Sequence, residues 1–248
     1  MRVEQLADRR VFITGMGIVS PMGHGVLETL ASMQAAASGI RPLTLFPCPF
    51  DTPLPVGEVR DLPNGDDLPR THQLALAATR EALGEAQSAP DMVIMGVTTG
   101  GMLSTENYMK QGHRQPRFSP YHAAGSVAEV VAEACRCRGP VLTVSTACSS
   151  GAVGIKLALE ILRRGAARSV LVGGADSLCR LTYYGFNSLQ IVDRSGPHPM
   201  DRDRHGMSVA EGAAMLLLTA ADQAPSACRT SWSRCTMTWK RSPALPPT

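Results

Sequence analysis

The stretch Val141–Arg164 restricts the fold more than any other part of the chain. Val141–Val144 is an apolar, β-branched run and predicts a buried strand. Ser145, Thr146, Ser149 and Ser150 flank a single cysteine, Cys148, and their hydroxyls suit the free amides of a helix start. Gly151 and Gly154 remove bulk where the helix leaves the turn. Ala152, Ile155, Ala158, Leu159 and Leu162 then share one helical face, and Lys156, Glu160 and Arg164 share another at four-residue spacing. Strand, sharp turn and helix in this order point to an α/β fold with chemistry at the turn.

A cysteine at a helix N-terminus meets unpaired amides and the positive end of the helix dipole, which favour thiolate over thiol. The same amides suit the oxyanion formed when a thioester carbonyl is attacked. A free cysteine is also a common small buried side chain, so chemistry alone leaves two readings of Cys148.

The rest of the chain alternates strands and helices. Val11–Thr14 reads as a strand running into Gly15-Met16-Gly17, Val26–Ser38 as a short helix ended by Gly39, and Pro42–Pro55 as an irregular, proline-rich loop. Asn64–Arg70 reads as a polar turn. Thr71–Gln87 predicts a helix capped by Thr71, with Leu74, Ala75, Ala78 and Leu83 inward. Met92–Val97 predicts a strand leading into Thr98-Thr99-Gly100-Gly101, and such a loop at a strand's carboxyl end is where open α/β folds place ligands. Tyr108–Arg117 reads as an exposed loop. Ser169–Val172 and Ala213–Leu218 read as strands, Asp201–Arg204 as a salt-bridged turn, and Glu211 as a hydrogen-bonded structural carboxylate.

Several function classes are excluded. Serine stands at position 20 where a dinucleotide-binding loop needs glycine, and the proline-rich loop Pro42–Pro55 stands where a strand ending in an acid should follow. The seven cysteines are odd in number and form no C-x-x-C pair, so neither a disulfide framework nor a zinc site is expected, and a reduced, cytoplasmic setting is. No cofactor is expected. Arg9 and Arg10 do not make an export signal, because glycines and Pro21 interrupt the apolar run behind them. No span of about 18 apolar residues occurs, so no membrane span is expected. The net charge of +3 is misleading: four basic residues and no acidic ones lie beyond Ala224, leaving −1 for the remainder. No basic stripe argues for nucleic acid.

Ser145-Thr146-Ala147-Cys148-Ser149-Ser150-Gly151 resembles the nucleophile motif of the β-ketoacyl-acyl-carrier-protein synthases, the condensing enzymes of fatty acid and polyketide synthesis. Arg10–Pro21 resembles that family's first strand and loop, Val172–Asp176 the strand end after the nucleophile helix, and Pro199–Gly206 with Ala210–Ala213 the two pieces closing its first half. Ser119–Ala134 is similar to the helix before the nucleophile strand. The resemblance implies a thiolase-like α/β fold, a mixed sheet with helices on both faces and a buried nucleophile helix. It implies Cys148 as the acyl-accepting nucleophile. It places Thr98, Thr99 and Gly100 beside the acyl pocket and Tyr184 and Phe186 near the acyl tunnel. Acyl carrier protein, acyl and malonyl thioesters, and a homodimer or heterodimer through Val141–Val144 are the implied partners.

The family is about twice this long. Its second half supplies two histidines, one in a His-Gly-Thr-Gly-Thr-like segment and one in a Gly-His segment, and a glycine-rich oxyanion loop. None of these strings occurs here, and His113 and His122 come from the wrong part of the chain. The expectation is therefore an N-terminal half, residues 1–221, that is inactive in condensation alone; the alternative is a non-catalytic product or a partner subunit. A cysteine hydrolase is a weaker reading, since no histidine is nominated as base. Residues 222–248 hold both tryptophans, Cys228, Cys235 and four prolines without apolar periodicity. They predict an aberrant or disordered tail, such as a frameshift produces.

Overall fold

The computed structural model describes residues 9–49, 52–62, 68–84, 88–112 and 120–224. Its elements are β1 (Val11–Ser20), β2 (Gly23–His24), α1 (Val26–Gln34), β3 (Ile40–Pro42), β4 (Pro55–Gly57), α2 (Arg70–Leu83), β5 (Met92–Gly96), α3 (Met102–Lys110), α4 (Gly125–Ala134), β6 (Val141–Val144), α5 (Ser150–Arg163), β7 (Ser169–Asp176), α6 (Arg180–Ser188), β8 (Val209–Ala210) and β9 (Gly212–Ala220). Six strands form a mixed sheet in the order β2-β1-β9-β7-β5-β6. β5 runs parallel to both β6 and β7, and β9 is antiparallel to β7 and β1. A smaller sheet orders β3-β4-β8.

The central strands are buried on both faces, and their period of two sends alternate side chains to opposite layers. Val93, Met95, Leu171 and Met215 pack with Leu74, Ala75, Ala78 and Ala82 of α2 and Val127 and Val131 of α4. Ile94, Val170, Val172 and Leu218 pack with Ala158 and Leu162 of α5. Each fully buried leucine or isoleucine in these layers contributes about 1.5–3 kcal/mol through apolar burial. A third cluster, with Phe46, Leu54, Leu103, Tyr183 and Val209, joins the small sheet to α3 and α6. The expected α/β architecture with helices on both faces is thus present.

Several local expectations are corrected. β1 does not stop at Thr14: it continues through Gly15 and Gly17 to Ser20. A methyl on either glycine would sit about 2 Å from a carbonyl oxygen of Ala82 or Ala78, so the glycines admit the backbone of α2 rather than make a turn. Thr71 does not cap α2, whose N-cap is Pro69. The Thr71 hydroxyl donates to the Gly100 carbonyl at 2.5 Å instead. The segment before the expected loop at Tyr108 is helical, and α3 carries the chain to Lys110. The irregular loop from Pro42 to Pro55 has strand ends in β3 and β4.

β6 was expected to be buried. It is half-exposed, with Leu142 41% exposed, because it is the end strand of the sheet. Helix α5 is buried along one stripe only, Ser150, Gly154, Ala158 and Leu162, and not along the face drawn through Ala152, Ile155 and Leu159. Ile155, Leu157, Leu159 and Ile161 are partly buried flanks. The Asp201–Arg204 turn is held by hydrogen bonds, Asp203 N–H to Asp201 Oδ1 and Arg204 to the Asp201 carbonyl. Among the described residues no ion pair lies within it; the nearest is His198 against Asp193, 3.9 Å apart. His113 and residues 225–248 of the expected tail lie outside the described residues.

Candidate active site

Three parallel strand ends carry the site. Gly96 of β5 pairs with Val144 of β6 and Gly174 of β7, so the loops after these strands leave the sheet side by side. The Val97 amide still donates to the Val144 carbonyl, at 3.1 Å, before the loops part.

The loop after β6 is a sharp elbow that carries Cys148. Ala147 has φ 52, a left-handed conformation that is costly for a residue with a Cβ. Residues Ala147–Ser149 form one 3-10 turn, and α5 begins at Ser150. Cys148 is therefore carried at the outside of a sharp strand-to-helix corner, and it is exposed. The serines brace this corner rather than cap the helix. Ser150 accepts the Thr146 amide at 2.9 Å and donates to the Ala147 carbonyl at 2.7 Å. Ser149 donates to the Thr146 carbonyl at 2.9 Å. The two amides that follow Cys148 are taken up by the 3-10 turn, Ser149 N–H donating to the Thr146 carbonyl at 3.3 Å and Ser150 N–H to the Ala147 carbonyl, and the first turn of α5 comes after them.

The loop after β5 is pinned from β7. Both oxygens of Asp176 accept the Thr98 amide, at 3.0 and 3.1 Å, and one accepts the Thr99 amide at 2.6 Å and the Thr99 hydroxyl at 2.8 Å. Thr71 holds the Gly100 carbonyl and bonds Ser177 at 2.8 Å. The Gly101 amide donates to the His122 carbonyl at 3.2 Å. Thr99 and Gly100 are buried and engaged in these bonds, whereas Thr98 is exposed. Asp176 was not singled out from the sequence. The signal for it was the acid that ends β7, two residues after the pair Gly173-Gly174.

Beneath this loop lies a buried ion pair. Glu211, with a fully buried side chain, accepts the Val59 amide at 2.8 Å, the Leu178 amide at 3.0 Å and the Arg70 guanidinium at 2.6–3.1 Å. The structural role expected of Glu211 is borne out.

Tyr184 and Phe186 lie on α6, half-buried against the third cluster. Their neighbour Tyr183 accepts the Leu54 amide at 2.8 Å, and burial pushes its hydroxyl pKa up to about 12. Glu106 of α3 accepts the first amides of α6, from Arg180 and Leu181, at 2.8 Å each, which suits the positive helix end. The Arg180 guanidinium lies 4.8 Å from the Phe46 ring centroid.

Four of the described histidines have partners elsewhere: His24 bonds the Arg60 carbonyl, His72 the Ser126 hydroxyl and His122 the Thr105 hydroxyl, and His198 lies 3.9 Å from Asp193. A polar cleft of about 690 Å³ lies at the other end of the sheet, where Asp91 and Ser169 precede β5 and open β7. Cys148 lies at the opposite end, after the carboxyl end of its strand.

Residues 63–224 match the family model of the β-ketoacyl synthase N-terminal domain. The chain belongs to the β-ketoacyl synthase family. It is 30% identical to a 3-oxoacyl-[acyl-carrier-protein] synthase 2 of Rhizobium meliloti, an alignment covering 87% of this chain and 60% of that protein. It is 28% identical to the granaticin polyketide putative β-ketoacyl synthase 1 of Streptomyces violaceoruber, covering 85% of this chain and 58% of that one. Among solved structures, the ishigamide ketosynthase/chain length factor superposes with a TM-score of 0.77 at 30% identity, over 87% of this chain and 59% of that one. The chain thus spans about 60% of the length of the β-ketoacyl synthases it matches. The thiolase-like fold expected from the elbow motif is that of these ketosynthases.

Proposed function

We propose that this chain carries the acyl-accepting site of a β-ketoacyl synthase, with Cys148 as nucleophile. The observation that carries the reading is the exposed thiol on a strained elbow, between the ends of parallel strands and the start of α5. The Cys148 thiolate attacks the carbonyl carbon of an acyl thioester. A new S–C bond forms, the old C–S bond breaks, and the donor thiolate leaves and takes up the proton that Cys148 released. Thr98, exposed on its pinned loop, meets the acyl chain, with Thr99 and Gly100 forming the wall behind it. Tyr184 and Phe186 line the path of a longer chain.

The donor is an acyl group on acyl carrier protein or coenzyme A, and the setting is the cytoplasm. In a complete synthase the acyl-enzyme then meets a malonyl thioester, whose decarboxylation yields the carbanion that forms the carbon–carbon bond. The family's two histidine segments serve that step, and this sequence contains neither. The 248-residue chain by itself accepts an acyl group and does not condense. The open edge of β6, with Leu142 outward, pairs with the same strand of a second copy or a related subunit.

The test is incubation of the purified chain with an acyl thioester, and separately with malonyl thioester, followed by peptide mapping. An acyl group on the peptide containing Cys148, with no rapid release of carbon dioxide from malonyl thioester, is expected. Label on other cysteines but not on Cys148 overturns the nucleophile assignment, and rapid malonyl decarboxylation overturns the division of labour.

A further inference from the structure

The carboxylate of Asp176 makes four contacts of 2.6–3.1 Å, and all of them go to Thr98 and Thr99. Two of the groups it holds are consecutive backbone amides. A loop at a strand end has no ladder partner for such amides, and leaving them unpaired in a half-buried setting is costly. Asp176 thus takes the place of the missing strand for this loop.

The three strands set where that loop lies. β5 is the middle one: the elbow leaves β6 on one side of it, and Asp176 ends β7 on the other. Gly174, two residues before Asp176, approaches Gly151 just behind the elbow: a methyl built on Gly174 would lie 3.8 Å from the Gly151 Cα. The carboxylate therefore reaches across the end of β5 from the far side and draws the Thr98–Thr99 backbone toward β7. Thr98 is the exposed residue of an otherwise buried run, Val97 to Gly101. Its side-chain position relative to the elbow is set by a backbone that Asp176 holds on both amides.

Resting on the reading of Cys148 as an acyl acceptor, we propose that Asp176 is a positioning residue for acyl transfer. It fixes the loop that receives the thioester beside the nucleophile and does not touch the reacting atoms. Oδ1 alone makes three of the four contacts, so an asparagine that keeps this oxygen in place loses only the second contact to the Thr98 amide, whereas an alanine removes all four.

The test compares two reactions of one thiol in the full chain. Acylation by a thioester needs the acyl group placed against the sulfur, whereas alkylation by iodoacetamide needs only an accessible thiolate. Asp176→Ala, which leaves both amides without this acceptor, should slow single-turnover acylation about ten-fold or more, because misplacing a reactant is costly. Iodoacetamide alkylation should stay within about two-fold, since the elbow is untouched. Thr99→Val removes only the hydroxyl bond and keeps both amides held. It should slow acylation by about three-fold, an intermediate loss, and it serves as the readout if Asp176→Ala does not fold.

A ratio of the two rates equal to wild type in both variants, or in Thr99→Val alone where the other is unfolded, overturns the inference. A wild-type chain that alkylates but accepts no acyl group overturns the acyl-acceptor reading and this inference with it. A wild-type chain that acylates beside variants that do so equally well overturns this inference alone.

Discussion

Gly96 lies directly beneath Gly151: a methyl group on Gly96 would stand 2.6 Å from the Gly151 amide nitrogen and 2.7 Å from the Ser150 carbonyl carbon. The first turn of α5 thus rests on bare backbone of β5. Gly96→Ala should push the elbow off the sheet, lowering stability by about 1–3 kcal/mol through overpacking and slowing reaction of Cys148 with a thiol reagent. A methyl on Gly151 meets nothing within 4 Å. Gly151→Ala should fold normally, and its effect on stability should be small. Paired denaturation and alkylation measurements on the two variants check both statements.

The pair Glu211–Arg70 should be the most sensitive polar contact in the described structure. Glu211→Ala leaves the Arg70 guanidinium and the Val59 and Leu178 amides without their acceptor. Breaking a buried pair from one side costs about 3–5 kcal/mol. That is a large part of the stability of a domain this size, so the variant should unfold at much lower urea or fail to accumulate. Glu211→Gln, which keeps an acceptor oxygen, should be the milder change.

His72 makes the fold sensitive to mild acid. The ring is fully buried, with Nε2 on Ser126 and Nδ1 without a partner, and burial lowers its pKa from 6.5 to about 4. Between these values the unfolded chain binds the proton and the folded chain does not, so stability falls with falling pH there. The full contribution is present above pH 6.5 and is lost on the way down to about pH 4. His72→Gln removes this titration. Its urea midpoint should therefore vary less than that of wild type over the same window, and parallel slopes would contradict the assignment.

The elbow itself stores strain. Ala147→Val places a β-branched residue at φ 52, a region such side chains avoid. It should lower the melting temperature, whereas Ala147→Gly should be tolerated, because glycine enters this region freely. Thermal unfolding of the two variants decides it.

What the sequence discloses about this fold depends on whether the controlling contact is local. The elbow was legible because its small residues, hydroxyls and cysteine are contiguous. The inward residues Leu74, Ala75 and Ala78 of α2 were legible because they recur at helical spacing. The continuation of β1 was not legible, since Gly15 and Gly17 read as a turn until the backbone of α2 is placed against them. Nor was α3, which buries only Leu103 and Thr105 and so lacks a repeating apolar stripe. The packed stripe of α5 runs through Ser150 and Gly154, two positions that hydropathy does not mark. The hold of Asp176 on Thr98 and Thr99 joins residues 77 and 78 positions apart, and no local pattern announces it.

The most direct measurement is the intact mass of the purified chain after incubation with an acyl thioester, beside a Cys148→Ala control. The account predicts a single added acyl group on the wild-type chain and none on the control. An unmodified wild-type chain, or an adduct that persists in Cys148→Ala, would contradict the assignment of Cys148 as the acyl-accepting nucleophile.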